Sequence, residues 1–179
     1  ALGHGITDID TGKLISLEEG SVYPAIIEDI QRGKKGSPGE LIGSVALGQE
    51  NYIGKIKSNT ALGITGTISR KTYQYQKEKA LPVGLKQEVK KGAAWILCQM
   101  GKKVEKYRVD IEEIHINSRD NKGLVLHVTD QKLLKKSGGI VQGMSGAPII
   151  QNGKVIGAVT HVFVNDPTGG YGTFMENML

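Results

Sequence analysis

A chain of 179 residues with 39% hydrophobic side chains can bury a sizeable core, as one large domain or two small lobes. Its net charge of +5 is moderate and its aromatic content of 5% is too low for a base-stacking platform, which argues against single-strand nucleic-acid binding. The single cysteine, Cys98, excludes an internal disulfide, and no apolar run is long enough to span a membrane as a helix.

In chain order the apolar runs are short and bounded by Gly, Pro, Asn or Asp. Val, Ile, Thr and Tyr alternate within them as half-buried pleated strands require. The pattern predicts strands near 13–17, 24–30, 41–47, 51–57, 62–69, 83–88, 93–100, 103–116, 123–128, 147–151, 154–164 and 170–175. The polar stretch Lys71 to Pro82 reads as a join between lobes covering about 1–75 and 76–179. Asp120-Asn121-Lys122-Gly123 and Gln151-Asn152-Gly153-Lys154 read as tight hairpin turns, the second with the Asn-Gly pair that a type I′ turn favours. Helix is scarce: one short turn follows Asp130 as N-cap, and another begins near Met175. Strands this short and numerous predict an all-β sandwich or barrel.

Cys98 lies in the apolar run Ala93 to Cys98 and reads as a buried, inert thiol. The four histidines, His4, His115, His127 and His161, have no metal-ligand spacing, so neither a metal nor a cofactor is expected. Asp8-Ile9-Asp10-Thr11-Gly12 reads as an Asx-turn, because it lacks the further ligands of a calcium loop.

The chemistry concentrates in Gly143-Met144-Ser145-Gly146-Ala147-Pro148. A serine that attacks a peptide carbonyl needs two N–H donors for the developing oxyanion. In the chymotrypsin-like arrangement these belong to the serine and to the residue two before it, here Ser145 and Gly143. The hairpin that follows ends in Thr160 and His161, which fall where a supporting hydroxyl and a pocket wall would stand. Histidine is the usual base at neutral pH, and His4, flanked by Gly3 and Gly5, is freer to face a cleft than a histidine within a strand. His115 and His127 lie within alternating strand patterns and are weaker candidates. For the orienting acid, Asp29, Glu50, Asp110, Asp120 and Asp130 all qualify by chain order, with chymotrypsin-like spacing favouring the neighbourhood of Glu50.

Residues Ala1 to Gly12 and Gln142 to Lys154, with Thr160 to Gly172, together resemble the peptidase domain of stage IV sporulation protein B from endospore-forming bacteria. The resemblance runs through nearly the whole chain. It implies a chymotrypsin-like serine endopeptidase with a double β-barrel, and it implies His4 as base, Ser145 as nucleophile and Asp130 as acid. A start three residues before His4 predicts an incomplete N-terminal barrel. The resemblance further implies export from the forespore into the space between the two surrounding membranes. There the family processes itself and cleaves a membrane-bound regulator of an intramembrane metalloprotease, which activates a late sigma factor. It also implies a membrane anchor and a PDZ domain in full-length members, both outside this chain. A protease fold that binds peptides without efficient turnover is the alternative expectation.

Overall fold

The computed structural model describes residues 1–17, 19–69, 80–118 and 120–179. Eleven strands are named among them: β1 (Gly20–Val22), β2 (Ala25–Gln31), β3 (Glu40–Val45), β4 (Gly54–Thr60), β5 (Gly63–Ile68), β6 (Gly92–Gln99), β7 (Val104–Ile114), β8 (Leu124–Val128), β9 (Pro148–Gln151), β10 (Lys154–Val162) and β11 (Gly169–Phe174). One α-helix, α1 (Gln131–Ser137), interrupts them.

The last six strands close an antiparallel barrel in the order β10-β11-β8-β7-β6-β9. Strict alternation drives this. In β6, Ala94, Ile96 and Cys98 point inward while Trp95 and Leu97 are only partly covered. In β8, Leu124, Leu126 and Val128 do the same. A side-chain period of two places every second residue on the inner face. The core of Ile96, Tyr107, Val109, Ile111, Leu126, Ile149 and Phe174 fills the barrel. Asn152 and Gly153 take φ of 50° and 77°, the paired positive angles of the tight β9–β10 hairpin.

The N-terminal half is an open arrangement of a three-stranded sheet, β1-β4-β5, and a hairpin, β2-β3. The all-β architecture, with one closed six-stranded barrel and these further sheets, fits a chymotrypsin-like fold, and among the described residues the strands of the first half form no closed barrel. Every buried residue described before Gly84 is a glycine: Gly3, Gly5, Gly39, Gly54 and Gly63. Its apolar side chains stay in part solvated, with Ile26, Val45 and Leu47 each more than half exposed.

Main-chain contacts tie the halves together. Gln142 N–H donates to Gly39 O at 2.8 Å, and Leu41 N–H donates to Gln142 O at 2.9 Å. The first residues lie against both: Ala1 N donates to Ile64 O at 2.7 Å and Ile64 N–H donates to Ala1 O at 3.1 Å, while Leu2 backs onto Gly146.

Several element expectations need correction. The strand expected at 13–17 is a single bridge, Thr7 to Leu14; Leu14 and Ile15 have no neighbouring strand to cover them and are each 45% exposed. The strand expected at 83–88 ends in a 3-10 turn at Lys86–Glu88, because the Glu88 carboxylate accepts from Leu85 N–H at 2.9 Å and curls the chain. The strand expected at 51–57 runs instead over Gly54–Thr60, because Asn51 closes a 3-10 turn, Gln49–Asn51. The Asp120–Gly123 turn is part of a wider loop, closed where His115 N–H donates to Gly123 O at 2.8 Å. Most of the Lys71–Pro82 join, and with it the lobe boundary, falls on residues outside those described.

Candidate active site

Ser145 stands on the loop between α1 and β9. Gly143 has φ of 94° and Gly146 has φ of 87°, angles that other residues rarely adopt. Gly146 is also confined: a Cβ there would lie 3.1 Å from Leu2 Cα. Met144 N–H donates to Val141 O and Gly146 N–H to Val159 O, which pins the loop to β10. The N–H groups of Gly143 and Ser145 donate to no acceptor among the described residues. Two unengaged donors flank the hydroxyl, as an oxyanion site requires.

The Ser145 hydroxyl donates to Thr160 O at 2.9 Å. Thr160 is buried, and its own hydroxyl donates to Asn121 O at 2.9 Å, a main-chain carbonyl and not a carboxylate. His4 and Ser145 line the same cleft of about 300 Å³, together with Thr160 and His161. Nδ1 of His4 lies 2.9 Å from Gly5 O. A proton on Nδ1 donated to that carbonyl leaves the lone pair on Nε2, the form a general base must have. The His4 and His161 rings are tilted, with centroids 5.1 Å apart. Burial first, then the charges of His4 and Lys122, holds the His161 pKa below its usual value, which keeps that wall neutral at pH 7.

A second hollow, of about 330 Å³, shares Gly143 and Ser145 with the first and is walled by Ala25, Ile27 and Leu41 from the N-terminal half. Ser145 therefore sits on a ridge with a depression to each side. Cys98 borders this second hollow, but burial pushes its thiol up to about 11, so it stays protonated.

The structure does not bring Asp130 to His4. One carboxylate oxygen accepts from Lys132 N–H at 2.9 Å and Leu133 N–H at 3.1 Å, and the other accepts from Arg108 N–H at 3.1 Å. Its N-cap reading is realised, and Asp130 is not among the residues that line the cleft. Among the other acids, Glu50 lies in an exposed 3-10 turn, Asp29 accepts from its neighbour Ile30 N–H, and Asp110 pairs along β7 with His127. Among the described carboxylates, Asp120 is the one that acts on His161, favouring its charged form. His115 pairs with Glu113 at 3.0 Å, and His127 lies 3.5 Å from the Thr168 hydroxyl, so neither lines the cleft. The Asp8 carboxylate accepts from the Thr11 N–H and hydroxyl, the Asx-turn the spacing suggested.

One residue that pattern reading passed over is Asn59 on β4. Its side chain accepts from Ile6 N–H at 2.8 Å and donates to Ile6 O at 2.7 Å and Ile15 O at 3.1 Å. It clasps the main chain two residues past His4. Only a contact across 53 residues reveals this role, and no local motif marks it.

The profile of the SpoIVB peptidase S55 family matches residues 1–179. The chain belongs to that family. It is thus a sporulation serine peptidase, and the serine in the Gly-Met-Ser-Gly loop agrees with that chemistry. No curated protein and no solved structure gives a match. Among the described residues, no group of three or more potential ligands is placed to hold a metal ion, and no helix is long and apolar enough to cross a membrane.

Proposed function

We propose that this peptidase is an endopeptidase of sporulation signalling in which Ser145 is the nucleophile and His4 the base. The observation that carries the assignment is one cleft containing His4, Ser145 and the two unengaged N–H donors. The hydroxyl turns from Thr160 O toward His4 and gives up its proton to Nε2. Ser145 Oγ then attacks the scissile carbonyl, and the oxyanion accepts from the N–H groups of Gly143 and Ser145. The imidazolium returns the proton to the departing amine, leaving an acyl-enzyme that water, activated by the same imidazole, hydrolyses.

The substrate is an extended polypeptide. β9 pairs with β10 only as far as Ala158, so beyond Thr160, whose carbonyl holds the Ser145 hydroxyl, the edge at His161 and Val162 offers itself to an added strand beside Ser145. The hollows on the two sides of the serine suit residues on the two sides of the cut bond. The sequence resemblance extends the reading: self-processing, cleavage of a membrane-bound regulator of an intramembrane metalloprotease, and action between the forespore membranes with a PDZ domain of the full-length protein as partner.

A fluorophosphonate probe tests the catalytic core of this. Stoichiometric labelling that vanishes in Ser145→Ala, together with loss of peptide hydrolysis, is the expected result. A folded protein that takes no label favours the peptide-binding alternative, for which the hydroxyl's bond to Thr160 O in place of His4 is the specific support.

A further inference from the structure

We infer that the hollow on the β10 side of Ser145 is a specificity pocket that accepts an aliphatic side chain of the substrate and rejects a charged one. The inference rests on the serine-peptidase reading above and adds the substrate class.

The walls carry the argument. Pro38, Ile140, Val141, Val159, Val162 and Val164 supply the apolar lining. Among the described residues, no carboxylate, ammonium or guanidinium lines the hollow, and the titratable side chains at its surface are His4 and His161. His161 has its pKa lowered by burial and by neighbouring charge, so it offers no cation to an acidic side chain at neutral pH. The Thr160 hydroxyl is already engaged with Asn121 O. A lysine or glutamate entering here would shed water and find no counter-ion among the described lining residues, since Lys122 and Asp120 act on His161 only from outside that lining, and this is costly. An aliphatic group would exchange water for hydrocarbon, which is favourable.

The floor is rigid as well as apolar. Ile140 is 1% exposed, and its Cδ1 occupies space beside Gly170, 2.7 Å from where a Cβ on that glycine would stand. It packs where a larger residue at 170 would exclude it. Val and Ile side chains are stiff at χ1, so the walls keep their shape.

The test uses the whole chain and a series of fluorogenic tetrapeptide amides that differ only at the residue before the cut bond: Leu, Ala, Lys or Glu. We expect kcat/KM for Leu to exceed that for Ala, Lys and Glu by tenfold or more, within the range of roughly 10–200 that apolar pockets show for small hydrocarbon differences. Val164→Asp places a carboxylate at the mouth, on a side chain 56% exposed and therefore tolerant of change. It should move the Leu-to-Lys ratio toward Lys by at least tenfold. Fluorophosphonate labelling with Lys or Glu peptides cleaved as fast as Leu overturns the pocket and leaves the peptidase reading standing. If neither labelling nor cleavage occurs, the peptidase reading fails. Binding of tetrapeptide acids to Ser145→Ala then decides the pocket: tighter binding of those ending in Leu upholds it, and equal affinities overturn it.

Discussion

Replacing Asp130 separates two physical roles that a single acidic residue can play. In the structure its carboxylate caps α1 through Lys132 and Leu133 N–H and steadies β7 through Arg108 N–H. Asparagine is about as good an N-cap as aspartate, whereas alanine at a cap costs roughly 0.5–2 kcal/mol. The Arg108 N–H loses its acceptor as well, which moves the cost toward the upper part of that range. Asp130→Ala should therefore lose about 1–2 kcal/mol, a Tm drop of roughly 2–8 °C for a chain of this size. Asp130→Asn should stay within a few degrees of the parent and keep its turnover within a few-fold. An acid that holds the base in its working tautomer behaves otherwise: its Asn variant retains the fold and loses about 10⁴ in kcat. Thermal unfolding and single-turnover kinetics on both variants decide. A drop of several orders of magnitude in kcat for Asp130→Asn, with Tm unchanged, refutes the cap-only reasoning. It would show that the carboxylate leaves α1 to reach His4 in the working enzyme.

Asn59→Ala removes three hydrogen bonds to the segment that carries His4, so kcat should fall by about 10²-fold, the usual penalty for displacing a catalytic group by roughly 1 Å. Unchanged kcat in steady-state assays would remove Asn59 from the site's support. His161 should titrate by NMR below 6.5, because burial and the nearby positive groups disfavour its charged form. The sign follows: its folded pKa lies below its unfolded one, so its contribution to stability is complete above the unfolded value and is lost as pH falls through the folded value. His4→Ala should raise the His161 midpoint without restoring the ordinary value, since burial is the larger cause; a midpoint at or above 6.5 in the parent protein contradicts this account.

Local rules in the sequence located much of the C-terminal barrel. Alternating apolar residues in β6, β7 and β8 and the Asn152-Gly153 turn can be read over a few residues, because strand period and turn angle are local properties. The Asp130 cap was legible for the same reason. Ser145 between two glycines marked itself by a backbone that only glycine adopts comfortably. The 83–88 segment misled because Glu88 reaches back to Leu85 and converts an apparently extended run into a turn. The choice among the acids was not legible, since it depends on which carboxylate three-dimensional packing brings near an imidazole. Asn59 was invisible for the same reason, its partner lying 53 residues away.

The unequal distribution of hydrocarbon between the two halves has a thermal consequence. All the buried apolar side chains among the described residues lie at Val89 or beyond, while the half that holds β1 to β5 buries only glycines. On warming, that thinly supported half should loosen first, since local opening follows the sparsest packing. His4 rides with it and Ser145 stays with the barrel. Proteolytic power should then fade at a temperature where the barrel's near-ultraviolet signature is still intact.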